Sequence, residues 1–202
     1  MTNLAGRPTS PRGDRRREQL VAAGVTLLQR DGWPGVTTRA VAEHAGTRPG
    51  LIHYHFGGLP GLHEAIFRRA TDLIIEPLIT GLLAAPGERV ALGMMRQAML
   101  QAPADERTPR LAAELMMGAM RDPALGVVLR DELRRARALI ADRLRELHPA
   151  WPPARLTGVA TLITASIDGL MLHQMIDREL PAREALSAVE ELLGPEDDLG
   201  ED

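Results

Sequence analysis

Apolar residues along this 202-residue chain recur every three or four positions, and from Leu59 onward they nowhere alternate with polar ones in the two-residue rhythm of a strand. Over 14–31, Leu20, Gly24, Leu27 and Leu28, with Ala23 between them, fall on one helical face, and Gly32 follows as a stop. Thr37 is placed to cap a short second helix holding Val41, Ala42 and Ala45, which Gly46 ends. A third short helix starts near Arg48, tolerates Pro49 in its first turn, runs to Phe56 and breaks at Gly57-Gly58. Beyond it, helical stripes are separated by Pro and Gly signals at Pro77, Pro86-Gly87, Pro103, Pro109, Pro123, Pro149 to Pro153, Pro181 and Gly194-Pro195. The strongest stripe is Leu129, Leu133, Ala136, Ile140, Leu144 and Leu147; the next helix, 155–177, repeats the spacing with Gly158, Leu162, Ala165, Gly169, Leu172 and Ile176. The expected fold class is all-α.

Composition narrows the chemistry. The length suits one sizeable domain, or a small domain joined to a medium one. There is no cysteine, which removes thiolate catalysis, disulfides and Cys-type zinc sites. No apolar run near the start resembles a secretory signal, and the longest uncharged apolar stretch, 156–167, stops at Asp168, too short to span a bilayer. A cytoplasmic location with no membrane partner is the expectation. Charge is unevenly spread: residues 1–69 hold ten arginines against five carboxylates, a net +5, and 70–202 hold fourteen against twenty-two, a net −8. Arginine abundance alone says little in a chain that has no lysine, but the asymmetry points to a polyanion at the positive end. Residues 1–12, polar with Pro8 and Pro11, read as a flexible arm, and 195–202, PEDDLGED, as an acidic tail.

The stretch LIHYHF, 51–56, places two of the six histidines and the one tyrosine together. Residues two apart on a helix point about 200° apart, so His53 and His55 cannot grip one ion, and no metal or other cofactor is expected. No nucleophile or carboxylate pair stands near them at a recognisable spacing, so no catalytic residue is assigned. Ile52 and Phe56, four apart, form a buried seam that leaves Gly50, Leu51, His53 and Tyr54 facing outward. A short helix of this kind, preceded by another and a glycine turn, meets the needs of a helix-turn-helix, whose second helix enters a groove roughly 12 Å wide.

The stretch from Arg17 to Gly58 resembles the amino-terminal DNA-binding domain of TetR-family transcriptional regulators. Its family features are Asp31-Gly32 closing the first helix, Thr37 at the cap, Ala42 to Gly46 at the turn and Tyr54-His55-Phe56 closing the recognition helix. The resemblance implies that Thr37, Thr38 and Arg39 meet phosphates or a base edge, that Arg48, Pro49, Gly50, Leu51 and His53 face bases, and that Tyr54 and His55 hold the backbone. Where the family carries a lysine after the recognition helix this chain has Leu59, so one phosphate contact is missing; Arg16, within the cluster Arg12, Arg15, Arg16 and Arg17, compensates in this picture. The resemblance further implies a helix-turn-helix domain over 13–58 and a helical ligand-binding and dimerisation domain over 59–194.

In that second domain Met95, Met99, Met116, Met117 and Met120, with Met94, Met171 and Met175, suit an adaptable apolar cavity or plain core, and His173 and Asp168 are candidates either for polar contacts in that cavity or for hydrogen bonds between subunits. Gly158, Leu162, Ala165, Gly169, Leu172 and Ile176, together with Leu129, Leu133, Ala136 and Ile140, give two apolar helices, more surface than one domain of this size readily covers; a twin chain would bury it. The expected function is a homodimeric regulator of a double-stranded DNA operator, a repressor released by a small apolar effector, and not an enzyme. A helical-bundle enzyme lacks a nucleophile motif or an E-x-x-H pair, and a protein-interaction module has no need of the charge split.

Overall fold

The computed structural model describes residues 11–101 and 107–192, so the acidic tail and most of the expected arm lie outside the described residues. Within them the chain forms helices only: α1 (Pro11–Asp31), a 3-10 turn (Trp33–Gly35), α2 (Thr38–His44), α3 (Gly50–Phe56), α4 (Leu59–Ala84), α5 (Glu88–Gln101), α6 (Arg107–Arg121), α7 (Pro123–Leu147), α8 (Pro153–Ile176) and α9 (Ala182–Leu192). The all-α expectation holds. α1 begins at Pro11, so Arg12 to Arg17 are carried on a helix and not on a loose arm.

Two expected breaks are not breaks. Pro77 lies inside α4. A proline there has no N–H for the carbonyl four residues back, Leu73, and the apolar residues on both sides carry the helix through at the loss of one ladder bond. Pro109 is the third residue of α6, a first-turn position whose N–H has no helical partner in any case.

The chain divides into two compact units, one ending at Leu73 but including Glu114–Leu129, the other made of Ile74–Ala113 and the residues from Arg130. The first unit is centred on Leu20, Leu28, Val41, Ile52, Leu62, Ile66 and Phe67, all essentially without exposed surface. Gly24 of α1 lets Ile66 of α4 come so close that a Cβ would collide with its side chain. Gly32, at φ +70°, makes the sharp exit from α1. Trp33 follows it, stacked on Phe67 at 6.1 Å and edge-on to His63 at 5.1 Å, while His63 Nε2 lies 2.9 Å from the Val36 carbonyl. From α6, Glu114 accepts the Trp33 backbone N–H on Oε2 at 3.2 Å and the indole N–H on its backbone carbonyl at 2.8 Å.

In the second unit Ile140, Ala141 and Leu144 of α7 pack on Leu156 and Ala160 of α8, with Ile79 and Leu82 of α4 against them. Arg143 of α7 donates from Nη2 to the Ala85 carbonyl at 2.8 Å, satisfying an acceptor just beyond the end of α4. Between α7 and α8, Trp151 stacks on His148 at 4.0 Å and receives the Arg155 guanidinium 4.1 Å over its ring. α9 packs on α5. Among the described residues α8 is the one helix long and apolar enough to cross a bilayer by length and composition, because the single Asp168 does not interrupt a 24-residue helix. Its fully buried residues are Leu156 and Ala160, and half of its positions are exposed.

Candidate nucleic-acid interface and effector cavity

The helix-turn-helix is fixed by local hydrogen bonds that its sequence encodes. Thr37 adopts an extended backbone and its hydroxyl accepts from the Ala40 N–H at 3.1 Å, which closes the start of α2. At the other end the Thr47 N–H bonds to the Ala42 carbonyl at 2.8 Å and the Gly46 N–H to that of Glu43 at 3.0 Å, the paired bonds of a Schellman stop with Gly46 at φ +59°. α3 ends on Gly57 in the left-handed region, its N–H bonded to the His53 carbonyl at 3.0 Å.

Ile52 anchors α3 in the core with no exposed surface, and this rotation sets the outward face. Arg48, Pro49, Gly50, His53 and Tyr54 are exposed, Tyr54 by 80%. Leu51 and His55 are half-buried; on α2, Arg39 is exposed and Thr38 half-buried, beside an exposed Thr37. A Cβ built on Gly50 meets nothing within 4 Å, so the helix backbone is open to close approach there.

The basic start of α1 reaches the end of α3. The Arg17 guanidinium lies 5.1 Å over the Phe56 ring, and Tyr54 meets His55 edge-on at 4.9 Å. Burial, then the positive charges of Arg17 and Arg16, hold the His55 imidazole below its ordinary value, with Asp14 pulling the other way. Arg16 is half-buried, and Leu59, at the start of α4, is half-buried too.

The second unit contains a cavity of about 180 Å³. α4 supplies Ile75, Pro77, Leu78, Ile79, Gly81 and Leu82; α5 supplies Ala91 and Met94; α7 supplies Leu133, Ala136 and Ile140; and α8 supplies Thr164, Ile167 and Asp168. Burial pushes the Asp168 carboxyl up from its ordinary value, and Arg137 draws it partly back. Of the methionines singled out by sequence, Met94 lines the cavity. Met116 (half-buried), Met117 and Met120 (exposed) stand on the part of α6 that belongs to the first unit, and His173 is exposed on α8. The side chains of Met95 and Met99 lie outside the described residues. The lining residues Pro77, Gly81 and Thr164 carry no sequence signal that would have singled them out.

One face of α8 is uncovered: Gly158, Leu162, Ala165 and Ile176 are exposed, Leu162 by 66% and Ile176 by 87%, while Gly169 and Leu172 are half-buried. Leu129 and Leu133 on α7 are half-buried. Ala136 and Ile140 from the same stripe are buried in their own unit.

Comparison with known proteins places both halves. The model of the bacterial regulatory proteins of the tetR family matches residues 20–66, and that of the BetI-type transcriptional repressor C-terminal domain matches residues 88–195. The HTH-type transcriptional regulator BetI of Burkholderia mallei (strain NCTC 10229) is 28% identical over 193 residues, covering 89% of this chain and 94% of that protein. The solved structure of SCO7518 from Streptomyces coelicolor A3(2) is similar at a TM-score of 0.72 and 28% identity, over 90% of this chain and 99% of that one. The multidrug binding protein EbrR complexed with proflavin is similar at a TM-score of 0.64 and 26% identity, over 86% and 98%.

Proposed function

Because the chain belongs to the TetR family of bacterial regulatory proteins, with a BetI-type repressor carboxy-terminal domain, we propose that two copies bind a palindromic operator as a repressor and release it when a small molecule enters the cavity of the second unit. As a member of that family the chain is a DNA-binding transcriptional regulator and not an enzyme. The carrying observation is the outward face of α3. Ile52 fixes its rotation, and His53, Tyr54 and Gly50 are left open beside the arginines that α1 brings to its end. In this arrangement His53 with Arg48, Pro49, Gly50 and Leu51 reads base edges, and Thr37, Thr38, Arg39, Tyr54, His55 and Arg16 hold phosphates and set register.

The uncovered apolar face of α8 supports the pairing. Small residues at Gly158, Ala165 and Gly169 let a twin helix approach closely, and Leu162, Leu172 and Ile176 supply apolar surface around them. A two-fold axis there also supplies two reading heads, which must reach major grooves roughly 34 to 36 Å apart or a multiple of it. The cavity supports an effector role by its size and apolar lining, and the multidrug binding protein EbrR was solved with proflavin bound.

The test is recovery of genomic fragments retained by the purified protein, followed by titration of the enriched sequence at several salt concentrations. A palindromic consensus bound with an affinity that falls steeply with salt is expected, because several arginine contacts per half-site release counterions. Fragments without a common sequence, or an affinity indifferent to salt, would overturn the assignment.

A further inference from the structure

The cavity of the second unit is apolar except at Thr164 and Asp168, four residues apart and thus on one side of α8. Thr164 already donates its hydroxyl hydrogen within the helix, to the carbonyls of Ala160 at 3.2 Å and Thr161 at 2.9 Å, so it faces a ligand as an acceptor. Asp168 has no hydrogen bond or ion pair with any described residue, and Arg137 acts on it only through its charge. The polar features offered by the wall are therefore both acceptors, one of them a carboxylate.

An apolar ligand filling this space would shut Asp168 away from water with no partner, and an anion would meet a like charge. A ligand carrying a charged N–H donor does the reverse: it gives the carboxylate a charge-assisted hydrogen bond and places its carbon skeleton against Ile79, Leu82, Leu133 and Ile140. Size follows from volume. An apolar cavity of about 150 Å³ takes benzene, so about 180 Å³ suits a body of roughly six to eight heavy atoms. Cations without an N–H are usually held on aromatic faces, and none of the lining residues is aromatic.

We propose that the effector cavity takes a small protonated amine, whose N–H donates to Asp168 while an aliphatic or single-ring body fills the apolar space. The proposal rests on the effector role assigned to this cavity above.

The test titrates the full chain calorimetrically with cyclohexylamine, cyclohexanol and tetramethylammonium, and repeats the series with Asp168→Asn. Cyclohexylamine should bind at least tenfold more tightly than cyclohexanol, about 1.4 kcal/mol, and tetramethylammonium no better than the alcohol. Asp168→Asn should erase the preference for the amine and leave the alcohol's affinity in place. Equal affinity for amine and alcohol in the native chain would overturn the proposal, showing that Arg137 already satisfies the carboxylate. So would a preference that survives in Asp168→Asn, tetramethylammonium binding as tightly as the amine, or no binding by any of the three. A gel shift on the enriched operator separates this from the effector role. Release by amine and alcohol alike keeps the cavity as the effector site and overturns the amine preference, whereas tight amine binding with no release keeps the amine site and overturns the effector role.

Discussion

Trp33 gives both of its N–H groups to one residue, Glu114, which is 81 positions away in sequence: the backbone N–H to the carboxylate at 3.2 Å and the indole N–H to the main-chain carbonyl at 2.8 Å. The pair ties the second half of α6 to the turn that leads into α2. Glu114→Ala deletes one of the two bonds and leaves a half-buried donor without a partner, which should cost about 1 to 3 kcal/mol. Thermal melts would show a drop of roughly 2 to 4 °C per kcal/mol for a chain of this length. Gly118→Ala, one turn further along α6, crowds the same seat, because its Cβ would stand 2.5 Å from the indole nitrogen. If both variants melted like the native chain, the contact would be incidental to stability.

His53 and Arg16 should fail in different ways. His53 is exposed on the outward face of α3, and His53→Ala should relax base preference, by about 1 to 3 kcal/mol at the position it reads. Arg16 lies on α1 and faces the backbone in the proposed complex, so Arg16→Ala should weaken cognate and scrambled duplexes alike. Gel shifts on both duplexes decide it; equal losses on the two for His53→Ala would remove it from the base-reading set.

Leu59 opens α4 where the family carries a lysine. Leu59→Lys should tighten operator binding and steepen the dependence of log K on log salt by about one unit, the signature of one added phosphate contact. An unchanged slope would mean that this helix end stays away from the backbone.

His55 gives the complex a pH dependence whose sign can be worked out. Its folded-state value is lowered, so the unfolded chain binds its proton first as pH falls below 6.5, and the residue weakens the fold only on that acid side. A DNA phosphate beside it opposes Arg16 and Arg17 and favours the charged ring. Binding should then take up a proton, and affinity should rise as pH falls through the region just below 6.5. His55→Gln should flatten that part of the profile; a native profile already flat there would place His55 away from phosphate.

Gly169→Arg tests the α8 pairing. The arginine would stand in the proposed interface as a steric block and an unpaired buried charge, so the variant should sediment as a folded monomer and lose most operator affinity. A dimeric variant would put the interface elsewhere, and a monomer that still bound the full operator tightly would uncouple pairing from DNA reading.

The DNA-reading half was legible because its signals are local. Thr37 caps, Gly46 and Gly57 stop, and Ile52 sets the rotation of α3 within a few residues of where each is written. Pro77 marks no break for a related reason: a proline announces a missing bond, but Ile79 and Leu82 just beyond it are held against residues of α7 and α8 that are distant in sequence. Spacing also cannot say what a stripe faces. Leu129, Leu133, Ala136 and Ile140 share one periodicity, yet the last two are buried in their own unit and the first two are half-open. The methionines divide in the same way, Met94 at the cavity and Met120 at the surface. Trp33 and Glu114 left no trace in the sequence, because their bond depends on bringing α6 to the end of α1.

The chain has two tryptophans, and the fold puts one in each unit in opposite surroundings. Trp33 is hydrogen-bonded on a bed of Phe67 and His63, while Trp151 stacks on the His148 imidazole and carries the Arg155 guanidinium over its ring. Intrinsic emission from the chain therefore carries one signal from each unit, and Trp33 supplies the one that belongs to the DNA-reading unit. Without any label, light from Trp33 reports the seat that Glu114 holds, so an effector that loosens α6 from the turn would be seen as a colour change in the native chain.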